Sequence, residues 1–183
     1  MSFSFPRASE KQNGYVPAQV EELIAKAREQ HSNPAAQIIS ANELRQAEFD
    51  FEHGGYSISA VDSALDRLED TFSTRELARE RQMSGEYQIQ NRLSSAIELI
   101  RGRLDRPKGK KFANTGFLLR GYNRKSVDQL CDQIARHLQS GNELNLDSVR
   151  RVIFTAKRGG YVESQVDAFI DRVVEVLHIE RNS

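Results

Sequence analysis

Carboxylate side chains recur at a fixed distance from glycine–tyrosine pairs, and this pattern is the one most suggestive of chemistry. Glu21, Asp62, Asp128 and Asp167 each stand seven residues after the glycine of such a pair. A carboxylate repeated beside a tyrosine could form a repeated binding site. Alternatively, a carboxylate near a helix start stabilises the helix by roughly 0.3 to 1 kcal/mol, because it faces the positive end of the helix dipole. Since an acid occurs in every copy, we favour the structural interpretation.

No set of side chains indicates an enzyme. The histidines are scattered, and none of His31, His53, His137 and His178 has a partner at the spacing of a metal site. Cys131 falls on an apolar helical stripe, where a small buried side chain is expected rather than a nucleophile. The basic segment 106–111 lacks the strand and glycine pattern of a phosphate-binding loop. The sequence therefore predicts a non-enzymatic protein without metal or cofactor.

Cations are concentrated in one stretch, although the whole chain is neutral. Lys+Arg and Asp+Glu both number 26, but residues 101–125 hold nine Lys or Arg and one acid. Apolar residues beside cations suit an anionic membrane surface or a partner protein; a solvated linker followed by a buried turn is the alternative. The candidate contact residues are Leu118, Leu119, Arg120, Lys110, Lys111, Arg124 and Lys125. Nucleic acid is not expected as a partner, because no basic recognition helix is present.

Four copies of one motif organise the chain: Gly-Tyr, four residues, then Val and an acid. They comprise Gly14, Tyr15 and Val20; Gly55, Tyr56, Val61 and Asp62; Gly121, Tyr122, Val127 and Asp128; and Gly160, Tyr161, Val166 and Asp167. Apolar residues follow at the sixth, ninth, tenth and thirteenth positions after each glycine, which traces one face of a helix. No strand-like alternation of comparable length occurs. The predicted fold class is therefore all-α.

The spacing of the motifs predicts two similar lobes. The first and third glycines lie 107 residues apart and the second and fourth 105, as in a duplicated pair. In each pair, we expect a helix, a Gly-Tyr turn and a second helix, which form an αα-hairpin with the tyrosine ring between the helices. The upstream helix of the first pair is predicted to start at the capping box of residues 40–43 and to end at residues 53–55, and its apolar residues are Leu44, Ala47, Phe49 and Phe51. In the second pair, the apolar residues before the turn are Val149, Val152, Phe154 and Ala156.

Helix-start signals set the expected boundaries. Pro17 predicts a helix start, and Ser40–Glu43 and Ser73–Glu76 have the sequence of capping boxes. The predicted organisation is a first pair of repeats over 1–72, a helical and basic linker over 73–111, and a second pair over 112–183.

Composition favours the cytoplasm. A single cysteine, Cys131, allows no intramolecular disulfide and suits a reducing compartment. The first residues lack the apolar core of a signal peptide, and no apolar run approaches the roughly 20 residues that span a bilayer. We therefore expect any membrane contact to be peripheral.

The repeated motif resembles that of the DivIVA-domain proteins of Gram-positive and actinobacterial cells. The match is carried by Gly55, Tyr56, Val61, Asp62, Leu65, Asp66 and Arg67, and by Gly160, Tyr161, Val166, Asp167, Phe169, Ile170, Asp171 and Arg172. The units at Gly121 and Gly14 match in part. The resemblance covers about two-thirds of the chain.

The resemblance implies a cytoplasmic scaffold in bacterial cell division, septum placement or polar growth, located at septa or poles. It implies as partners other division or envelope-growth proteins, a curved membrane surface and further copies of the chain. In the family, an aromatic–arginine pair before Gly-Tyr contacts lipid. Here Leu119 and Arg120 precede Gly121-Tyr122, so that leucine replaces the aromatic residue. Typical members continue into a long coiled coil, whereas sustained heptads are absent beyond residues 89–104.

Overall fold

The computed structural model describes residues 4–33, 35–36 and 38–182. These residues form seven helices and four short strands. In chain order, the elements are β1 (Asn13–Tyr15), α1 (Pro17–Ser32), α2 (Ala41–Arg45), β2 (Phe51–His53), α3 (Ile58–Ser84), α4 (Glu86–Leu104), β3 (Arg120–Tyr122), α5 (Arg124–Ser140), α6 (Leu146–Arg150), β4 (Ala156–Arg158) and α7 (Glu163–Arg181). The fold is mostly helical but not all-α, because each pair of repeats also contains a two-stranded sheet.

The chain divides into two units, Met1–Arg79 and Glu80–Ser183. Each unit contains the same succession of strand, long helix, short helix, strand and long helix. The division lies inside the segment 73–111, which the sequence predicts as a linker. In the structure, Ala96 and Ile100 of α4 are buried in the hydrophobic core of the second unit.

The first unit is built on the helices that follow its two Gly-Tyr motifs. Helix α1 begins at Pro17, as the proline predicts. Its buried face and that of α3 form one core, which consists of Val20, Ile24, Ala27, Ile39, Ala41, Leu44, Tyr56, Val61, Leu65 and Phe72. Five of the eight stripe positions that the sequence periodicity predicts are in this core, Val20, Ile24, Ala27, Val61 and Leu65, and Leu23 and Leu68 pack against it partly buried.

The second unit has a larger core. Helix α4 packs against α5 and α7, and α6 packs against α7. The buried side chains come from α4, α5, α6 and α7, from Phe112 before β3 and from Tyr161 between β4 and α7. Helix α7 contributes most to this larger core. Eight of its residues are buried, including the four consecutive positions from Val176 to Ile179.

The helices predicted upstream of the second motif in each unit are mostly absent, which corrects the expected αα-hairpin. Helix α2 ends at Arg45, and Phe51 lies in β2. Likewise α6 ends at Arg150, and Ala156 begins β4. The physical reason is tertiary: β2 pairs antiparallel with β1, and β4 with β3, so that each strand obtains its hydrogen bonds from the other repeat.

The two capping boxes have different outcomes. At Ser40 the box forms, because the Ser40 hydroxyl accepts a hydrogen bond from the Glu43 amide and the Glu43 side chain accepts one from the Ser40 amide. At Ser73 no helix starts, since α3 runs through this position to Ser84. Within α3 the Thr74 hydroxyl instead donates to the carbonyl of Asp70, one turn earlier.

Candidate interaction surface

The Gly-Tyr motifs of each unit pair with one another through their backbones. In the first unit, the Tyr15 amide donates to the Tyr56 carbonyl at 2.9 Å, and the Tyr56 amide donates to the Tyr15 carbonyl at 2.8 Å. In the second unit, Tyr122 and Tyr161 make the same exchange at 3.0 and 2.9 Å. The two motifs of a unit are therefore related by an approximate two-fold axis.

The glycine before each tyrosine is required by this pairing. An added Cβ on Gly55 would lie 2.5 Å from the Tyr15 carbonyl oxygen and 2.8 Å from the carbonyl carbon of Gly14. An added Cβ on Gly160 would lie 2.5 Å from the carbonyl carbon of Gly121. Real Cβ atoms essentially never approach other atoms below 3.0 Å. Two backbone segments can therefore cross at this distance only where both lack a side chain.

The second motif tyrosine of each unit hydrogen-bonds the motif acid of the first repeat. The Tyr56 hydroxyl donates to Glu21 at 2.5 Å, and the buried Tyr161 hydroxyl donates to Asp128 at 2.8 Å. The carboxylates of Asp62 and Asp167 lie close enough to Tyr15 and Tyr122, respectively, to raise the pKa of these tyrosines. The spacing of tyrosine and acid along the chain thus serves contacts between repeats, rather than contacts within one helix start.

The second unit adds two backbone donors to this arrangement. The Gly109 amide donates to Asp128 at 2.7 Å, and the Lys111 amide donates to the Tyr161 hydroxyl at 3.2 Å. The buried pair of Asp128 and Tyr161 therefore also holds the segment that connects α4 to β3. A buried carboxylate is stable only when its oxygens accept such hydrogen bonds.

Burial and the paired acids keep the tyrosines protonated. Burial raises the pKa of Tyr15 to about 12, and the charge of Asp62 adds to the shift. Burial likewise raises the pKa of Tyr122 and of Tyr161 to about 12, with the carboxylates of Asp167 and Asp128 adding to it. A tyrosine that stays protonated continues to donate its hydrogen bond.

Cys131 does not have the surroundings of a nucleophile. Its side chain is buried in the core of the second unit. Burial raises the pKa of the thiol to about 12, although the charge of Lys111 opposes the shift. The thiolate, which is the reactive form, is therefore scarce at neutral pH.

Three consecutive apolar side chains are exposed immediately before β3. Phe117, Leu118 and Leu119, which we call the apolar tip, are 80%, 72% and 66% exposed. The tip is held at the end of the sheet, because the Gly159 amide donates to the Leu119 carbonyl at 3.0 Å. Isolated exposed apolar residues are common, but three in succession indicate a contact surface.

Cations surround a groove next to the tip. The cationic groove is lined by Arg124 and Lys125 at the start of α5 and by Lys157 and Arg158 of β4. None of these four side chains takes part in an ion pair among the residues that the structure describes. Lys108 also lines the groove, but its ammonium group pairs with Asp132 at 2.6 Å.

Two groove residues were not among the predicted contacts. Lys157 and Arg158 lie far from residues 101–125 in the sequence, but strand pairing places Arg158 opposite Arg120 and Lys157 opposite Gly121. The sequence signal that could identify these two residues is their position in the repeat. Lys157 and Arg158 stand just before the fourth motif, as Glu52 and His53 stand just before the second. Because a helix is predicted over this segment, strand pairing with residues 120–122 is not expected from the sequence.

The predicted contact residues do not all reach the surface. Leu118, Leu119, Arg120, Arg124, Lys125 and Lys110 are exposed. Lys111 is buried, and its ammonium group donates to the carbonyls of Leu104 and of Arg106, the latter at 3.0 Å. Lys111 therefore stabilises the end of α4 and is not accessible to an external anion.

The equivalent surface of the first unit has different chemistry. Glu10, Lys11 and Gln12 occupy the positions of the apolar tip, since the Gly54 amide donates to the Gln12 carbonyl as Gly159 does to Leu119. Glu52 and His53 occupy the positions of Lys157 and Arg158. Pro17 and Ala18 replace the two cations that begin α5. The fold therefore does not require an apolar tip or a cationic groove.

Comparison of the chain with protein-family models, with curated protein sequences and with solved structures found no match. Among the described residues, no helix has the length and apolar character to cross a bilayer, and no three His, Cys, Asp or Glu side chains are grouped as metal ligands.

Proposed function

We propose that the chain is a non-enzymatic cytoplasmic adaptor or scaffold of bacterial cell division, septum placement or polar growth, which acts through protein–protein contacts. The cellular context is supported by the resemblance of the four motifs to the DivIVA repeat. The mode of action is supported by the way the motif residues are used. Their glycines, tyrosines and acids contact one another inside each unit. Function therefore belongs to residues that differ between the units.

The observation that carries the proposal is the contrast between equivalent surfaces. The second unit exposes Phe117, Leu118 and Leu119 where the first exposes polar residues. It also places Arg120 directly opposite Arg158, a like-charge cross-strand pair that destabilises a sheet. An exposed apolar patch beside unpaired cations costs stability or solubility, so that contact with a partner is the simplest reason for it.

The direct test is to locate a fluorescent fusion in dividing cells of the bacterium that encodes the chain. We expect the fusion to concentrate at septa or poles. A signal that stays diffuse throughout division, with the fusion intact on a gel, would overturn the proposal.

A second function, peripheral membrane binding, is favoured by the apolar tip itself. Leu119 and Arg120 stand immediately before Gly121-Tyr122, and both are exposed. Leucine side chains can enter the interface of a bilayer while neighbouring cations attract anionic headgroups.

Sedimentation with vesicles tests this second function. The wild-type chain is expected to pellet with vesicles of phosphatidylglycerol and phosphatidylcholine at low salt, and not with phosphatidylcholine alone. Leu118→Ser/Leu119→Ser should stay in the supernatant. Lys11→Ser/Gln12→Ser changes the equivalent positions of the first unit and is the matched control. Failure of the wild-type chain to pellet at low salt would exclude this function and leave the adaptor proposal standing.

A further inference from the structure

The two units carry opposite net charges. Residues 1–79 contain 8 Lys or Arg and 13 Asp or Glu, a net charge of −5. Residues 80–183 contain 18 Lys or Arg and 13 Asp or Glu, a net charge of +5. The neutral total of the chain therefore conceals a strong separation of charge. Surfaces of opposite sign attract at distances up to about 10 Å at moderate ionic strength.

Negative charge in the first unit is arranged as a stripe. Glu48, Asp50 and Glu52, which we call the acidic stripe, are all exposed and alternate along the segment that leads into β2. The residues between them are Phe49 and Phe51, whose rings lie 5.1 and 5.4 Å from that of Tyr15. Because alternate residues of an extended segment point to opposite sides, the acids lie on the side away from the rings. The Asp50 carboxylate also accepts a hydrogen bond from the Gln19 side chain at 2.7 Å.

The acidic stripe is specific to the first unit. Backbone hydrogen bonds identify the equivalent positions, because the Val16 amide donates to the Asp50 carbonyl and the Asn123 amide donates to the Thr155 carbonyl, both at 3.0 Å. At the positions of Glu48, Asp50 and Glu52, the second unit has Ile153, Thr155 and Lys157. Glu48 and Glu52 take part in no ion pair among the described residues.

We infer that the cationic groove of one copy binds the acidic stripe of a second copy. The stripe offers carboxylates at alternate positions, and the groove offers cations from two elements, Arg124 and Lys125 of α5 and Lys157 and Arg158 of β4. The acids within the groove do not compete, because Asp128 is bonded to Tyr161 and Gly109, and Asp132 is paired with Lys108. Carboxylates of a second copy would also relieve the repulsion between Arg120 and Arg158.

Such a contact is heterologous, since it joins two different surfaces. After two copies pair, one keeps a free stripe and the other a free groove, so that association continues into rings or open chains. This inference goes beyond the proposed function, because self-association is a property of the purified chain and needs no cellular partner.

The test is sedimentation velocity over a concentration series at about 20 mM and about 500 mM NaCl, which changes the screening length severalfold. At low salt the weight-average mass is expected to rise with concentration to at least about twice the monomer mass of 20.8 kDa. At high salt it should return to the monomer mass. A wild-type chain that remains monomeric at low salt at every concentration would overturn the inference, even if it binds vesicles or another acidic protein.

Charge reversal assigns the two surfaces. Lys157→Glu/Arg158→Glu and Glu48→Lys/Glu52→Lys should each be monomeric at low salt, whereas their equimolar mixture should associate again, because each variant now complements the other. Arg101→Glu/Arg136→Glu reverses two exposed cations outside the groove and should associate like the wild type. Far-ultraviolet circular dichroism checks that every variant is folded. A mixture that remains monomeric, or single reversals that still associate, would contradict the assignment.

Discussion

The hydroxyl of Tyr161 donates a 2.8 Å hydrogen bond to Asp128, although the two residues belong to different copies of the motif. The same relationship joins Tyr56 to Glu21 in the first unit. The fixed spacing of tyrosine and acid therefore serves to pair the two repeats within one unit. Its signature residues stabilise the unit from within, and they are poor candidates for contacts with other molecules.

Removal of the Tyr161 hydroxyl should destabilise the second unit. Tyr161→Phe leaves the buried carboxylate of Asp128 without one donor, which we expect to cost about 1 to 3 kcal/mol. Urea unfolding followed by circular dichroism measures the loss. A double-mutant cycle with Asp128→Ala should show coupling between the two side chains, because alanine removes the acceptor of their hydrogen bond. Additive effects of the two substitutions would contradict a direct hydrogen bond.

A methyl group at the crossing of the two motifs should destabilise the fold. Gly160→Ala places a Cβ 2.5 Å from the carbonyl carbon of Gly121, which only backbone movement can accommodate. We expect a loss of about 1 to 3 kcal/mol or more. Gly116→Ala is the control, since an added Cβ there meets nothing within 4 Å, and its effect should stay within about 0.5 kcal/mol. Equal melting temperatures for the two variants would refute the close approach.

Alkaline pH should weaken the fold before it ionises the native tyrosines. In the unfolded chain tyrosines lose their protons near pH 10, whereas burial keeps the pKa of Tyr15, Tyr122 and Tyr161 at about 12. The unfolded state therefore binds fewer protons than the native state between these values, and the free energy of unfolding falls as pH rises from 10 to about 12. Below pH 10 these groups should contribute no pH dependence. Urea midpoints measured across this range, with tyrosinate absorbance, provide the check.

The single thiol should be protected by the fold. Cys131 is buried and its pKa is raised to about 12, so we expect almost no reaction with a disulfide reagent at pH 8 in the native state. In denaturant the single thiol of the chain should react with one equivalent of the reagent. Rapid modification of the native protein would show that this part of the core opens readily.

The sequence periodicity predicts the long helices well, because an apolar residue at every third or fourth position requires one buried helical face. Pro17 and the box at Ser40 also mark real helix starts. The strands are missed for a physical reason. Each has only three residues, and its hydrogen bonds come from the other repeat, so no local pattern identifies Phe51–His53 or Ala156–Arg158.

The candidate surface is predictable only in part. Exposed leucines and cations before Gly121 are visible in the sequence, but the contribution of Lys157 and Arg158 depends on strand pairing across a long separation. Lys111 shows the opposite case, since nothing in a run of cations indicates which one is buried against backbone carbonyls. The opposite net charges of the two units can be counted only once the boundary after Arg79 is known, and the structure provides this boundary.

The most direct measurement of the central claim, that the repeats are structural and the second unit's surface is functional, compares two matched variants of the fluorescent fusion in dividing cells. Leu118→Ser/Leu119→Ser changes the apolar tip, and Lys11→Ser/Gln12→Ser changes the equivalent positions of the first unit. Both should melt like the wild type, because all four side chains are exposed. We expect the first variant to become diffuse and the second to remain at septa or poles. Retention of the first variant at these sites, or loss of the second, would contradict the claim.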